Sequence, residues 1–169
     1  MGVTFQNETP QYRAARNELL KREVALRREL ESVARERREL PPGPVVSDHY
    51  LFDAWNKDGE PIKVRLSDLF RQGSNTLIFY HYMFPRNSQD DRPKMAGPSV
   101  ARLAREQGPC PSCTLLLDQW DCVIPYLEGA DISFAVVAKA PIERVMAFAS
   151  DRGWRNLTLV SAAGNSFKR

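Results

Sequence analysis

Four residues, Pro41-Pro42-Gly43-Pro44, divide this 169-residue chain into two parts with different periodicities. Proline has no N–H to give to a helix and disfavours helical geometry in the residue before it, so no helix crosses this point. On the N-terminal side, positions 10–40 hold no glycine and, after Pro10, no proline; Ala, Leu, Glu and Arg dominate. These are good helix formers, and they predict one long helix as a separate segment, residues 1–40. Tyr12, Leu19, Leu26, Val33 and Leu40 recur on one narrow stripe,. Of the positions that would complete a coiled-coil seam, Arg16, Glu23, Leu30 and Arg37, only Leu30 is apolar. The stripe is therefore expected to lay Leu19, Leu26, Leu30 and Val33 on the remainder of the chain or on a partner subunit. The charges are expected to form a solvated face with pairs such as Glu18 to Arg22 and Glu23 to Arg27.

After the prolines, residues 41–169 read as one α/β domain. Tyr50-Leu51-Phe52 and Ile62-Lys63-Val64 flank Asp58-Gly59, the signature of a hairpin,. Ser67 is placed to cap a short helix over 67–70. The run TLIFYHYMF at 76–84 is aromatic, β-branched and almost unbroken, as expected of a central strand buried on both faces,. An irregular stretch follows at 85–109, in which Ser99 is placed to cap a short helix; so long a loop suits a lid or partner surface. A helical pattern then runs from Cys110 through Leu116, Leu117, Trp120, Val123 and Ile124. DISFAVVA at 131–138 predicts a strand, PIERVMAFASDR at 141–152 a helix closed by Gly153, and Leu157-Thr158-Leu159-Val160 a last strand,. This alternation predicts parallel βαβ units with helices on both faces of the sheet.

Composition removes several classes of function. Residues 1–13 are polar and lack the apolar core of a secretory signal, and no charge-free apolar run approaches the roughly 18 residues of a membrane helix, so a cytoplasmic protein with no membrane partner is expected,. Lys and Arg outnumber Asp and Glu by nine to seven in residues 1–40 and by fifteen to fourteen afterwards. So even a balance gives little field for nucleic acid. A chain of this size buries roughly 68–70% of its unfolded surface, so its three cysteines are not needed as staples.

Two of those cysteines carry the chemistry, in Cys110-Pro111-Ser112-Cys113. With Cys110 at a helix boundary and Pro111 at the first helical position, unpaired backbone N–H groups and the helix dipole favour a thiolate at Cys110. Cys113 lies one turn on, within reach of that sulfur, so the pair can close and open as a disulfide: Cys110 the nucleophile, Cys113 the resolving thiol. Pro111, Ser112 and His81 are candidate supports, His81 sharing a strand face with Phe79 and Met83 and opposed to Tyr80 and Tyr82. Asp118 is a candidate proton acceptor, set against a solvent-facing helix acid. Two other readings of the pair stand: half of a zinc site and ordinary small buried residues. Cys122, nine residues after Cys113, falls on the opposite side of the same helix and is expected in the core with Trp120,. No metal site and no cofactor are expected.

The charged N-terminal helix, VVSDHYLF at 45–52, LSDLF at 66–70, YHYMF at 80–84, GPCPSC at 108–113 and FAVVAKAP at 134–141, followed by Gly153-Trp154, together resemble an uncharacterised bacterial thioredoxin-like family, domain of unknown function 899. The resemblance runs from about Ala14 to the end. It implies a thioredoxin-like sheet of the peroxiredoxin branch flanked by helices, and thiol-disulfide activity at Cys110 and Cys113. The chain departs from thioredoxins in having Pro109 where they carry Trp, and from peroxiredoxins in having Gln107 where they carry Thr. No proline follows Pro141, so the cis-proline substrate clamp of thioredoxins is expected to be missing. Against such a sheet the C-terminal hairpin and helix also look missing after 157–160. That leaves an expected open strand edge, and with it a homodimer. The function expected is a thiol-disulfide oxidoreductase acting on a protein or small-molecule thiol or disulfide. The alternative is a non-catalytic interaction module that recruits a partner through the long helix.

Overall fold

A computed structural model describes residues 5–46 and 49–167 and divides into two units, Met1–Val46 and Ser47–Arg169. The first is built on a single helix, α1 (Pro10–Glu39). Its start follows from local chemistry: extended Thr9 accepts the Tyr12 N–H on its hydroxyl at 3.1 Å, and Pro10 sits where no N–H is needed,. Glu8 and Arg13 form an ion pair beside it. Along the helix Glu18 takes Lys21 at 2.7 Å and Glu23 takes Arg16 at 3.0 Å, in place of the expected Arg22 and Arg27. No residue of α1 is buried, and Leu19, Leu26, Leu30 and Val33 are exposed.

The second unit opens with an antiparallel hairpin of β1 (Leu51–Trp55) and β2 (Pro61–Arg65), Phe52 opposite Val64 and Ala54 opposite Ile62. Its turn needs the left-handed φ of 81° that Gly59 supplies,. A 3-10 turn over Leu66–Leu69 follows, one residue earlier than expected, so Ser67 lies inside it and the Asp68 carboxylate instead accepts the Arg65 N–H at 2.9 Å. Then come β3 (Thr76–His81), α2 (Pro111–Trp120), α3 (Ile124–Gly129), β4 (Ile132–Ala138), α4 (Ile142–Arg152) and β5 (Thr158–Ser161). Gly153 ends α4 in the left-handed region, φ 73°,.

The strand order is β2-β1-β5-β4-β3, with β3, β4 and β5 parallel, as the βαβ spacing predicted. Two expectations about strands are overturned. β3 is an edge strand that pairs with β4 alone; its run is apolar because it sets aromatic rings on both faces, not because strands flank it on both sides. β5 is not an edge, because β1 pairs with it antiparallel, Asp53 opposite Ser161. The hairpin thus covers the side of β5 that was expected to lie open, and the case for a homodimer drawn from that edge falls with it.

Helix placement also differs from expectation. The steps from β3 to β4 to β5 all go one way across the sheet, and right-handed crossovers in one direction keep their helices on one face,. Accordingly Leu117 of α2, Ile124 of α3 and Val145 and Phe148 of α4 share one core with Tyr82, Phe84, Phe134 and Val136. The other face packs Phe52, Ala135, Val137 and Val160 with Leu69, Phe79 and Phe167. Alternation along β4 divides the two cores, and the helix-side core contains both Cys110 and Cys113,.

Beyond β3 the backbone stays against the sheet: the Tyr82 N–H donates to Val137 O at 2.9 Å and the Ala140 N–H to Phe84 O at 2.6 Å. The Phe84–Pro85 peptide is cis. In the stretch that follows, Ser99 caps nothing; it sits in a 3-10 turn and its N–H and hydroxyl both donate to Asp151 at the end of α4.

Candidate functional site at the start of α2

Cys110 is the residue that turns extended chain into α2, with φ −69° and ψ 127°, and Pro111 takes the first helical position, as the sequence predicted. Its backbone is held on both sides. Its N–H donates to Met83 O at 2.9 Å, and its carbonyl accepts the Thr114 N–H at 3.0 Å and the Thr114 hydroxyl at 2.9 Å. Since that hydroxyl's proton is committed to the carbonyl, the buried Tyr82 hydroxyl donates to Thr114 Oγ1, at 2.9 Å. A residue just past β3, a helix residue and the Cys110 main chain are thereby locked together.

The two sulfurs lie in different fields. Burial by itself pushes the Cys110 thiol up, but hydrogen bonds from the Cys113 N–H, the Cys113 thiol, the Ser112 N–H and the Arg92 guanidinium outweigh it, and Cys110 is drawn below the ordinary thiol value,. Burial also raises Cys113; hydrogen bonds from the Tyr80 hydroxyl and the Met83 N–H only partly offset it, and the neighbouring Cys110 sulfur adds to the rise. Of the two thiols, Cys110 is thus the more readily deprotonated. Both are shielded, Cys110 at 0% exposure and Cys113 at 4%. Burial raises the Tyr80 and Tyr82 phenols above their ordinary value, so both are hydrogen-bond donors here rather than bases.

The irregular stretch reaches these sulfurs through Arg92. Its Nη2 lies 3.4 Å from Cys110 Sγ, its Nη1 donates to the Ser112 hydroxyl, and its Nε and Nη2 grip Asp90 at 2.8 and 2.7 Å. This grip holds the Asp90 carboxyl down at about 2. Beneath them Arg86 is buried and ties the stretch together: Nε donates to Arg105 O at 2.7 Å and Nη1 to Arg92 O at 3.0 Å, with Asp90 at 3.9 Å.

Of the residues singled out from the sequence, Cys110, Pro111, Ser112 and Cys113 come together. His81 does not join them. It stacks with Phe79 and Phe167 on the opposite face, while Tyr80 and Tyr82 face the cysteines. Asp118 braces α2 against the end of α4 and the chain just after it, accepting from Arg152 and from Trp154 Nε1 at 2.9 Å. Trp120 packs on Tyr80 and Phe134 as core, as expected. Cys122 was expected in the core but is exposed, its thiol donating to Gln119 O at 3.2 Å. The helical ladder stops after Trp120: Pro125 has no N–H to give the Asp121 carbonyl, which accepts Asn156 Nδ2 at 3.0 Å instead, while the Asp121 carboxylate accepts the N–H groups of Arg155, Asn156 and Leu157, and Cys122 falls in the turn before α3,.

Sequence reasoning missed Arg92, Arg86 and the donor role of Tyr80. Phase along the strand could have found Tyr80, since it opposes His81; nothing local marks the arginines. Among the described residues no group of three His, Cys, Asp or Glu is arranged to hold a metal, and no helix is long and apolar enough to cross a membrane.

No curated protein and no solved structure matches the chain. The profile of a family described as "Bacterial protein of unknown function (DUF899)" matches residues 3–169, and the chain therefore belongs to that bacterial family.

Proposed function

We propose that the protein is a thiol-disulfide oxidoreductase on a thioredoxin-like fold, with Cys110 as nucleophile and Cys113 as resolving thiol. The observation that carries this reading is an unequal pair of buried thiols one turn apart at a helix start, with a guanidinium 3.4 Å from the first: Cys110 is drawn below the ordinary thiol value and Cys113 is pushed above it. A CxxC at the start of a helix that follows a parallel strand supports the same reading,.

In the reductive direction the Cys110 thiolate attacks one sulfur of a substrate disulfide. A Cys110–substrate S–S bond forms, the substrate S–S bond breaks, and the distal sulfur leaves with the electron pair and takes up a proton. Cys113 then loses its proton and attacks Cys110 Sγ, expelling the second substrate sulfur as a thiol. The substrate gains two electrons and two protons, and the protein is left with a Cys110–Cys113 disulfide that a dithiol must reduce. The Tyr80 hydroxyl, hydrogen-bonded to Cys113, steadies that sulfur while it carries charge. The test is Cys113→Ser incubated with a mixed aromatic disulfide: a stable adduct on Cys110 is expected, and labelling at Cys122 alone rejects the reading.

A further inference from the structure

We propose that Arg92, eighteen residues before the CxxC and in no helix or strand, is the catalytic cation that holds Cys110 as a thiolate. This inference rests on the oxidoreductase reading and deepens it.

Arg92 touches the reacting atom. Its Nη2 lies 3.4 Å from Cys110 Sγ, and the same guanidinium donates to the Ser112 hydroxyl, so it bridges two residues of the helix start. A long arginine side chain on an irregular stretch is costly to hold still, yet this one is fixed from behind. Asp90 accepts from both Nε and Nη2, an arrangement that sets the plane of the fork as well as its position,. The backbone that carries both residues is tied to the body of the domain by the buried Arg86, which donates to the Arg92 and Pro93 carbonyls at 3.0 and 3.3 Å and lies 3.9 Å from Asp90. A side chain that merely decorated the surface would need no such support.

The remaining groups facing Cys110 do not supply this charge. Cys113 on α2 offers a thiol, Tyr80 and Tyr82 on the β3 line offer neutral phenols, and Asp90, gripped by Arg92, is an acid. The helix start contributes N–H dipoles but no full charge. Arg92 is therefore the one full positive charge in hydrogen-bond contact with the sulfur among the described residues. An opposite charge this close lowers a pKa by about one to three units. With the Arg92 side chain 45% exposed, the low end of that range applies.

The experiment is a pH titration of thiolate ultraviolet absorbance, which needs no reagent to reach the buried sulfur, on full-length protein carrying Cys122→Ser so that the exposed thiol does not contribute. Arg92→Gln and Arg92→Met are each compared with the parent, the second standing in where the first does not fold. The expected result is a rise of about one unit in the first thiol midpoint, with Arg92→Lys, which keeps the charge but not the fork, falling between. An unchanged midpoint in a folded neutral variant overturns the proposal. Disulfide formation between Cys110 and Cys113 is followed on the same samples. Its absence in the parent rejects the oxidoreductase reading, whereas its presence with an unmoved midpoint rejects Arg92 alone.

Discussion

α1 and α2 begin in the same way and serve different ends. Each has an extended capping residue followed by proline, Thr9-Pro10 in one and Cys110-Pro111 in the other. In α1 the capping atom is a hydroxyl that accepts one N–H, and no residue of the helix is buried. In α2 the capping residue carries a sulfur instead, drawn below the ordinary thiol value by the N–H groups of the helix start and buried against a guanidinium and a second thiol. A helix start therefore supplies dipoles anywhere. On the proposed reading, what converts it into a reactive site is the exclusion of water, one positive charge and a partner sulfur at one turn's distance.

The largest expected effect separates the thiols themselves. Cys110→Ser abolishes reduction of a dithiol-dependent disulfide substrate, while Cys122→Ser leaves its rate unchanged; equal losses in both would erase the distinction between a helix-start sulfur and an exposed one. Next comes the pH profile. The rate of the first exchange step in the parent rises through a midpoint below the roughly 8.5 of an unperturbed thiol, because Cys110 is drawn down. A midpoint at or above that value shows that the two helix starts are alike after all. The same shift has a stability consequence with a definite sign. A lowered acid stabilises the fold fully above its unfolded pKa and loses that contribution as pH falls through its folded one. Relative to Cys110→Ser, the parent therefore gains stability as pH rises toward about 8.5, a trend read from urea midpoints across pH.

Smaller effects compare the two threonines. Thr114→Val removes the acceptor of the buried Tyr82 hydroxyl and one donor to the Cys110 carbonyl, and costs about 1–3 kcal/mol in urea denaturation,. Thr9→Ala removes an exposed cap and costs α1 about 1 kcal/mol, read as fraying of its first turn by amide exchange, with the Cys110 midpoint unmoved,. The smallest expected change is in the stability of Cys122→Ser, within about 0.5 kcal/mol of the parent, since its one hydrogen bond lies on the surface,.

What the sequence made legible was local. The start of α2, the hairpin around Gly59 and the left-handed stop at Gly153 each follow from a proline, a capping position or a glycine acting on its immediate neighbours. What it hid depends on distant parts of the chain. Residues 76–84 read as a central strand because apolar run length says nothing about which strands arrive alongside; β1 docks on β5, and β3 is left at the edge. Helix periodicity carried Cys122 into the core because it ran on past Trp120, where the Asp121 carbonyl, facing Pro125 along the chain, is taken by distant Asn156. Phe79 and His81 share a face, as alternation required, but the site formed on the other one. Arg92 lies in a segment with no period at all, and only the carbonyls gathered by Arg86 bring it to the sulfur.

The central claim, that Cys110 and Cys113 act as a redox pair distinct from Cys122, is tested most directly by mild oxidation of the full chain with oxidised glutathione, followed by alkylation and peptide mass mapping. The account predicts an intramolecular Cys110–Cys113 disulfide that dithiothreitol reverses, with Cys122 recovered free or glutathionylated. Recovery of Cys110 and Cys113 as reduced thiols while Cys122 alone is oxidised would contradict it.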